Sequence, residues 1–127
     1  MHKSRLAGFI IDCRTDDLER ATQFWSAALG YEVRALAEES DPKKYRELFT
    51  GNEGLHVEVQ KVDHDSRVHL DIESDDIEAE VQRLEKLGAK RVSKGLRWWI
   101  MEAPTGQRFC VVRPQRSDFS DRANSWE

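Results

Sequence analysis

The chain carries one pattern of secondary structure twice. Residues 12–59 read as a strand, a helix and three short strands, and residues 71–112 repeat that order. The landmarks that recur 58 or 59 residues apart are Ile11-Asp12 with Leu70-Asp71, Asp17-Leu18 with Asp76-Ile77, and Leu29-Gly30 with Leu87-Gly88. Self-similarity at a fixed offset indicates a duplicated structural unit. The sequence therefore predicts an α+β fold of tandem βαβββ modules, whose eight strands form a curved mixed sheet around a cleft.

Both predicted helices carry start and stop signals. Asp16-Asp17 and Ser74-Asp75-Asp76 offer side-chain oxygens to the unpaired N–H groups of a first helical turn. Gly30 and Gly88 follow the last apolar residue of each helix and can adopt the left-handed conformation that ends it. The other elements expected in the first module are a strand at 31–37, a charged loop at 38–43, and a hairpin of strands at 45–50 and 55–61.

The length of the chain fits a single domain. A chain of 127 residues buries roughly two-thirds of its unfolded surface, so it needs no disulfide or structural metal. We expect the domain to span 1–127, with module one at about 6–61 and module two at about 67–114. The remaining tail, 115–127, is polar, and we expect it to be irregular and anchored by Phe119 and Trp126.

Composition excludes several classes of partner. The formal net charge is −4, and the charges of both signs are interspersed along the chain, which argues against nucleic-acid or membrane binding. No long apolar stretch or cleavable signal pattern is present, so a cytoplasmic location is expected. Cys13 and Cys110 each lie in an apolar strand pattern, which favours buried, reduced thiols over a disulfide.

Two predicted strands carry a polar face with chemistry-bearing side chains. Alternation puts His56, Glu58 and Gln60 on one face of the fourth strand, and it does the same for His69, Asp71 and Glu73 on the fifth. Imidazole and carboxylate groups from separate strands can hold a divalent ion with positions left open. The competing interpretation is that these are solvated outer faces. Spacing alone leaves both open, because no compact metal motif is present.

A set of short motifs resembles a known superfamily. The motifs are Ile11-Asp12-Cys13, Phe24-Trp25 before Leu29-Gly30, His69-Leu70-Asp71, Leu84 before Leu87-Gly88-Ala89, Trp98-Trp99, and Pro104 and Gly106 before Phe109-Cys110-Val111. In this order the chain resembles the vicinal oxygen chelate superfamily and, within it, the glyoxalase-like domains. The resemblance implies the glyoxalase/bleomycin resistance fold. It implies less about function, since that superfamily includes glyoxalases, dioxygenases, epimerases and metal-free binding proteins.

The resemblance also implies where a metal would be held. Catalytic members use four strand positions, two per module; Glu58 and His69 match two of them. The first-strand position falls on Ile10 or Gly8, neither of which can bind an ion, and the last falls on Cys110, for which a structural thiol is favoured over a ligand. Asp12 and Asp71 share the inward parity of Ile10 and His69, which leaves open whether they substitute as ligands or bind a polar ligand group or solvent. The expected cofactor is therefore none, or a weakly held divalent ion such as Zn, Ni, Fe or Mn. A glutathione-dependent glyoxalase is disfavoured.

Two functional hypotheses follow, and the sequence does not decide whether the protein is an enzyme. The first is a small-molecule-binding protein with an incomplete metal site. The second is a metal-dependent lyase, isomerase or dioxygenase-type enzyme with Glu58 and His69 as tentative catalytic residues and metal ligands. Metal-free catalysis by His69 and Asp71 has less support. A homodimer is expected. The expected ligand-binding residues are Asp12, Asp71, Trp98 and Ile100.

Overall fold

A computed structural model describes residues 1–34 and 43–127. Residues 35–37 of the predicted strand at 31–37, and residues 38–42 of the predicted loop at 38–43, therefore lie outside the described residues, whereas Glu32–Arg34 is a strand as expected. The elements are, in chain order, β1 (His2–Arg14), α1 (Leu18–Leu29), β2 (Glu32–Arg34), β3 (Tyr45–Phe49), β4 (His56–Val62), β5 (Arg67–Ser74), α2 (Ile77–Lys86), β6 (Lys90–Lys94), β7 (Trp98–Glu102), β8 (Arg108–Val112), α3 (Phe119–Arg122) and β9 (Asn124–Trp126).

The chain divides into two compact units. The first unit is residues 9–68, and the second unit is residues 1–8 together with 69–127. The strand order is β2-β3-β4-β1 through the first unit and β1-β5-β8-β7-β6 through the second, with β9 paired to β1. The β5–β8 pair is parallel, whereas β3–β4 and β7–β8 are antiparallel. The α+β fold of two βαβββ modules in a mixed sheet is thus confirmed.

The first unit is held together by α1 packed on one face of its strands. Asp17 starts the helix by accepting a hydrogen bond from the backbone N–H of Arg20 at 3.1 Å, and Gly30 ends it at φ 75°. Both signals were predicted. The buried core of this unit is formed by Ile11, Leu18, Leu48, Val57 and Val59. Since alternate strand residues point to opposite faces, the neighbours of these core residues form the face opposite α1.

The second unit repeats this construction around α2. Asp76 accepts a hydrogen bond from the backbone N–H of Ala79 at 3.0 Å, and Gly88 follows the helix at φ 105°. The core residues Val81, Leu84, Met101 and Val111 pack together, with Ile72 and Trp99 against them. The packing of α2 therefore buries one face of β5, β7 and β8. The opposite face of these strands points away from the helix. No helix in the described part of the chain is long and apolar enough to cross a membrane.

The C-terminal tail is ordered, which corrects the expectation that it is irregular. It forms α3 and then β9, whose Trp126 pairs with His2 of β1. The predicted anchoring by two aromatics is confirmed, because Phe119 is buried and the indole N–H of Trp126 donates to Ser4 Oγ at 2.8 Å. A three-residue strand is too short to show alternation, so its pairing could not be read from the sequence.

A buried carboxylate on α2 joins the chain's N-terminus to that helix. Glu80 is fully buried and accepts hydrogen bonds from His2 at 2.8 Å and from two guanidinium nitrogens of Arg83, each at 2.8 Å. Burial raises the pKa of Glu80, but the hydrogen bonds from Arg83 and His2 lower it by more, so the pKa lies below its ordinary value of 4.5. The ionised form of Glu80 therefore stabilises the folded state.

Replacing this carboxylate should destabilise the protein in a pH-dependent way. We expect Glu80→Gln to lower the free energy of unfolding by about 2 kcal/mol at pH 7, because it removes the charge from a buried carboxylate that is hydrogen-bonded to His2 and to the partly exposed Arg83. The difference from the unsubstituted protein should be complete above the ordinary pKa of 4.5 and should shrink as the pH falls through the lower folded-state pKa. Urea unfolding followed by circular dichroism, at a series of pH values, measures the free-energy difference and its dependence on pH.

Glu78→Gln is the matched control, because Glu78 is an exposed residue of the same helix whose partner is Arg91. Its effect should stay within about 1 kcal/mol. Equal effects of the two substitutions on stability, or an effect of Glu80→Gln that does not change with pH, would contradict the stabilising role of the ionised Glu80 carboxylate.

Candidate functional site

One face of the second unit gathers most of the predicted site residues. Ile72 and Val111 pack toward α2, so Asp71 on β5 and Cys110 on β8 point to the opposite face. Asp71 is paired directly with Cys110 across the parallel β5–β8 ladder, and Cys110 is paired with Ile100 across β7–β8. His69 and Trp98, two residues before Asp71 and Ile100, share this face. We call the surface formed by His69, Asp71, Cys110, Ile100 and Trp98 the site face.

The polar part of the site face is compact and partly buried. The Nε2 atom of His69 lies 3.5 Å from Oδ1 of Asp71, and the side chains are 14% and 10% exposed. Ligand atoms of His69, Asp71 and Cys110 all lie within 4.8 Å of one another. Imidazole nitrogen, carboxylate oxygen and thiol sulfur are donor types that bind zinc and related divalent ions. The three side chains therefore fit a metal ion, and Asp71 adds a donor that the resemblance did not identify as a ligand.

The apolar part of the site face depends on a glycine in the β6–β7 turn. The backbone N–H of Gly95 donates to the carbonyl of Trp98 at 2.9 Å. The indole of Trp98 lies directly over Gly95, where the Cβ of any other residue would overlap the ring. Trp98 remains 37% exposed, so part of its ring is open for contact. The turn therefore holds an aromatic surface beside Ile100.

A third carboxylate on β5 has a structural role instead. Glu73 follows the same alternation as His69 and Asp71 but is fully buried. It accepts hydrogen bonds from the backbone N–H groups of Gln115 at 2.6 Å and Arg116 at 3.0 Å, and from Arg5 Nε at 2.6 Å. This carboxylate fastens the start of the C-terminal tail to β5. The chemically accessible part of the strand is therefore its beginning, at His69 and Asp71.

In the first unit, Glu58 belongs to a line of three ionisable side chains. Leu48 and Val57 pack toward α1, so Glu47, His56 and Glu58 lie on the opposite face. His56 donates from Nε2 to Glu58 Oε1 at 2.7 Å, and its Nδ1 lies 3.5 Å from Glu47 Oε1. Glu47 was not among the site residues predicted from the sequence. The available signal was its direct pairing with Glu58 across the predicted hairpin, which the β3–β4 register contains.

The remaining predicted site residue, Asp12, is also in the first unit. It is 3% exposed, and its Oδ2 lies 3.9 Å from Nε of Arg67. The neighbouring Cys13 packs against the α1 core, and burial raises the pKa of its thiol despite a contact with Trp25 that lowers it. Both cysteines are free thiols as expected, but both are partly buried where full burial was expected. Asp12 and Glu58 thus have partners within the first unit, whereas the predicted action of Glu58 together with His69 stays a prediction.

Comparison with known proteins identifies the family. The chain belongs to the glyoxalase-like domain family, whose sequence profile matches residues 8–112, and this confirms the resemblance to the vicinal oxygen chelate superfamily. A hypothetical protein, BH1468 from Bacillus halodurans C-125, superposes with a TM-score of 0.62 at 13% identity, over 90% of this chain and 96% of that one. Methylmalonyl-CoA epimerase from Mycobacterium tuberculosis superposes with a TM-score of 0.61 at 16% identity, over 87% of each chain. No curated protein matches this sequence. At these identities the structural similarity supports the fold alone.

The contact between Trp98 and Gly95 gives a direct test of the site face. We expect Gly95→Ala to displace the indole and to cost about 1–3 kcal/mol of stability, because the added methyl group overlaps the ring. The near-ultraviolet circular dichroism and the fluorescence of Trp98 should change, with Trp98→Phe used to identify its contribution. Leu96→Ala, at an exposed residue of the same turn, is the control and should change neither. An unchanged Trp98 signal in Gly95→Ala would mean that the ring does not rest on the glycine.

Proposed function

We propose that this protein binds a small organic molecule on the site face of its second unit. The polar end of the ligand contacts His69 and Asp71, and its apolar or aromatic body lies on Ile100 and Trp98. The observation that carries this proposal is the strand register, in which Asp71, Cys110 and Ile100 are consecutive neighbours across three strands. Ligand sites commonly combine a mainly apolar wall with a few placed polar groups.

The chemistry of these side chains supports one class of ligand. Imidazole can donate a hydrogen bond, carboxylate accepts one, and the partly exposed indole of Trp98 offers a flat apolar surface. A molecule with a carbonyl or hydroxyl group attached to a planar or apolar body matches this arrangement. The sequence hypothesis adds Asp12 to the binding set, and that addition stays a prediction. We further propose that the chain acts as one domain, is a homodimer and works in the cytoplasm.

A metal-dependent enzyme is the second candidate. In this alternative, a divalent ion is bound by Glu58 and His69, and Glu58 moves a proton during lyase, isomerase or dioxygenase-type chemistry. The contact of His56 with Glu58 at 2.7 Å and with Glu47 at 3.5 Å favours it, because an imidazole between carboxylates can relay a proton. The hydrogen bond uses one oxygen of Glu58 and is compatible with metal binding by the other, since metal-ligating carboxylates are commonly hydrogen-bonded. Small-molecule binding remains the leading proposal, because only Glu58 and His69 match the family's ligand positions with the usual donor types.

Substitutions on the site face test the leading proposal. A panel of carbonyl- and hydroxyl-bearing aromatic compounds is first screened by ligand-observed NMR against the full chain. For any compound that binds, we expect His69→Ala and Trp98→Ala each to weaken affinity at least about tenfold, equivalent to about 1.4 kcal/mol. The control is His64→Ala, since His64 is a partly exposed histidine of the first unit that lies between β4 and β5. A compound whose affinity is unchanged by both site-face substitutions would contradict binding on this surface.

A double-mutant cycle separates the two candidate functions. If Glu58 and His69 act on one ion, the effects of Glu58→Gln and His69→Ala on metal affinity should be non-additive by more than about 0.5 kcal/mol. The binding-protein hypothesis makes two different predictions. His69→Ala should weaken the binding of the organic ligand, and Glu58→Gln should change the affinity for the metal ion little. Isothermal titration of the unsubstituted protein, the two single variants and the double variant with a divalent ion provides the coupling energy in metal affinity. Strong coupling would favour the enzyme over the binding protein.

A further inference from the structure

A row of three charged side chains borders the polar part of the site face. Lys90 on β6 is paired with Glu102 on β7, and Glu102 is paired with Arg108 on β8. Met101 and Phe109 pack into the core beside α2, and each is the chain neighbour of one of these charged residues. Since alternate residues of a strand point to opposite faces and cross-strand partners share a face, all three charged side chains lie on the side of the site face.

Arg108 lies next to the ligand-binding residues proposed above. In the parallel β5–β8 pair, Leu70 is paired with Phe109. The residues that precede this couple in the two strands are His69 and Arg108, so their side chains lie side by side on the site face. Two residues along a strand span about 7 Å, which is the spacing between Arg108 and the neighbouring row that contains Ile100. A ligand that contacts His69 and Ile100 can therefore also reach Arg108.

The hydrogen-bonding capacity of Arg108 is only partly used. Its Nε donates to Oε1 of Glu102 at 3.2 Å, and the two side chains are 40% and 35% exposed. Within residues 1–34 and 43–127 no other hydrogen bond involves this guanidinium. An arginine carries five N–H donors in a planar fork, so its two terminal nitrogens remain for a planar acceptor such as a carboxylate. Lys90 is exposed, and with it the row has two positive charges against one negative charge.

We propose that Arg108 and Lys90 bind the carboxylate of an acidic ligand on the site face. The proposal rests on the ligand binding proposed above and narrows the ligand class to apolar or aromatic molecules that carry a carboxylate as well as a carbonyl or hydroxyl group. The exposed pair of Arg108 with Glu102 is weak, because water and salt screen it. A ligand carboxylate that accepts two parallel hydrogen bonds from the guanidinium can therefore compete with Glu102.

The role of Glu102 separates this proposal from a solvated ion pair that binds nothing. In the proposed subsite the Glu102 carboxylate is an internal competitor for the Arg108 guanidinium, so its removal should strengthen the binding of an acid. In a solvated pair without a ligand, the same substitution should leave the binding of small molecules unchanged. Two neighbouring residues, Arg108 and Glu102, are therefore expected to affect ligand affinity in opposite directions.

Matched pairs of acids and amides test the proposal on the full chain. The acids 3-phenyllactate, mandelate and 4-hydroxybenzoate are each titrated beside the corresponding primary amide, which keeps the aromatic body and the hydroxyl group but lacks the negative charge. We expect an acid to bind at least about threefold more tightly than its amide, the size of effect that a partly exposed charge pair gives. Arg108→Gln should remove this preference, Lys90→Gln should reduce it and Glu102→Gln should increase it. Ligand-observed NMR measures the affinities, and the preference should shrink at high salt.

Arg91→Gln and Glu78→Gln are the matched controls, because they remove one charge of each sign on the side of α2. Both should leave the preference for the acid unchanged. The proposal is overturned if no acid binds more tightly than its amide, if Arg108→Gln keeps the preference, if Glu102→Gln does not increase it, or if Arg91→Gln reduces it as much as Arg108→Gln does. The neutral amides keep the test of the site face separate, since an amide whose affinity falls in His69→Ala supports binding there even where its acid is not preferred.

Discussion

The parallel pairing of β5 with β8 is the constraint on which the proposed site depends. In this register Asp71 faces Cys110, while Ile72 faces Val111 on the side of α2. A slip of one residue in either strand would turn its polar side chains into the core and its apolar ones outward. The packing of Val111 and Ile72 against Val81 and Leu84 therefore fixes the chemistry of the opposite face as well as the core. Stability and function are linked here through one hydrogen-bonded ladder.

Buried carboxylates hold the ends of the second unit in place. Glu73 accepts two backbone N–H groups of the tail and the guanidinium of Arg5, and Glu80 accepts from His2 and Arg83. A buried carboxylate is costly unless its oxygens are hydrogen-bonded, and both groups meet that condition. On the same face of β5, Glu73 binds the tail, whereas His69 and Asp71 lie on the site face where we propose ligand binding. Asp71 and Glu73, which the sequence places on the same face of β5, therefore have different surroundings.

The sequence predicted the fold more completely than it predicted the site. The repeat, the caps at Asp17 and Asp76 and the glycine stops are local signals, so they could be read directly. The tail was misread because β9 is fastened by contacts to β1 over more than a hundred residues of sequence. Such long-range contacts leave no periodic pattern of apolar residues in the sequence of the tail.

The sequence identified the site residues one by one. The strand register was needed to show which of them are neighbours across the sheet. Alternation alone put His69 and Asp71 on one face and allowed Cys110 to be interpreted as a structural thiol. The resemblance put His69 and Cys110 at ligand positions of one metal site, and the pairing of Asp71 with Cys110 shows that Asp71 lies beside them. In the same way, only the pairing of Glu47 with Glu58 reveals the contacts around His56.

The most direct measurement is a crystal structure of the full chain with a compound that the ligand screen identifies. The structure should show the compound in contact with His69 and Trp98, with Asp71 and Cys110 paired across β5 and β8. A compound bound elsewhere, or a β5–β8 register that separates Asp71 from Cys110, would contradict the proposed binding surface.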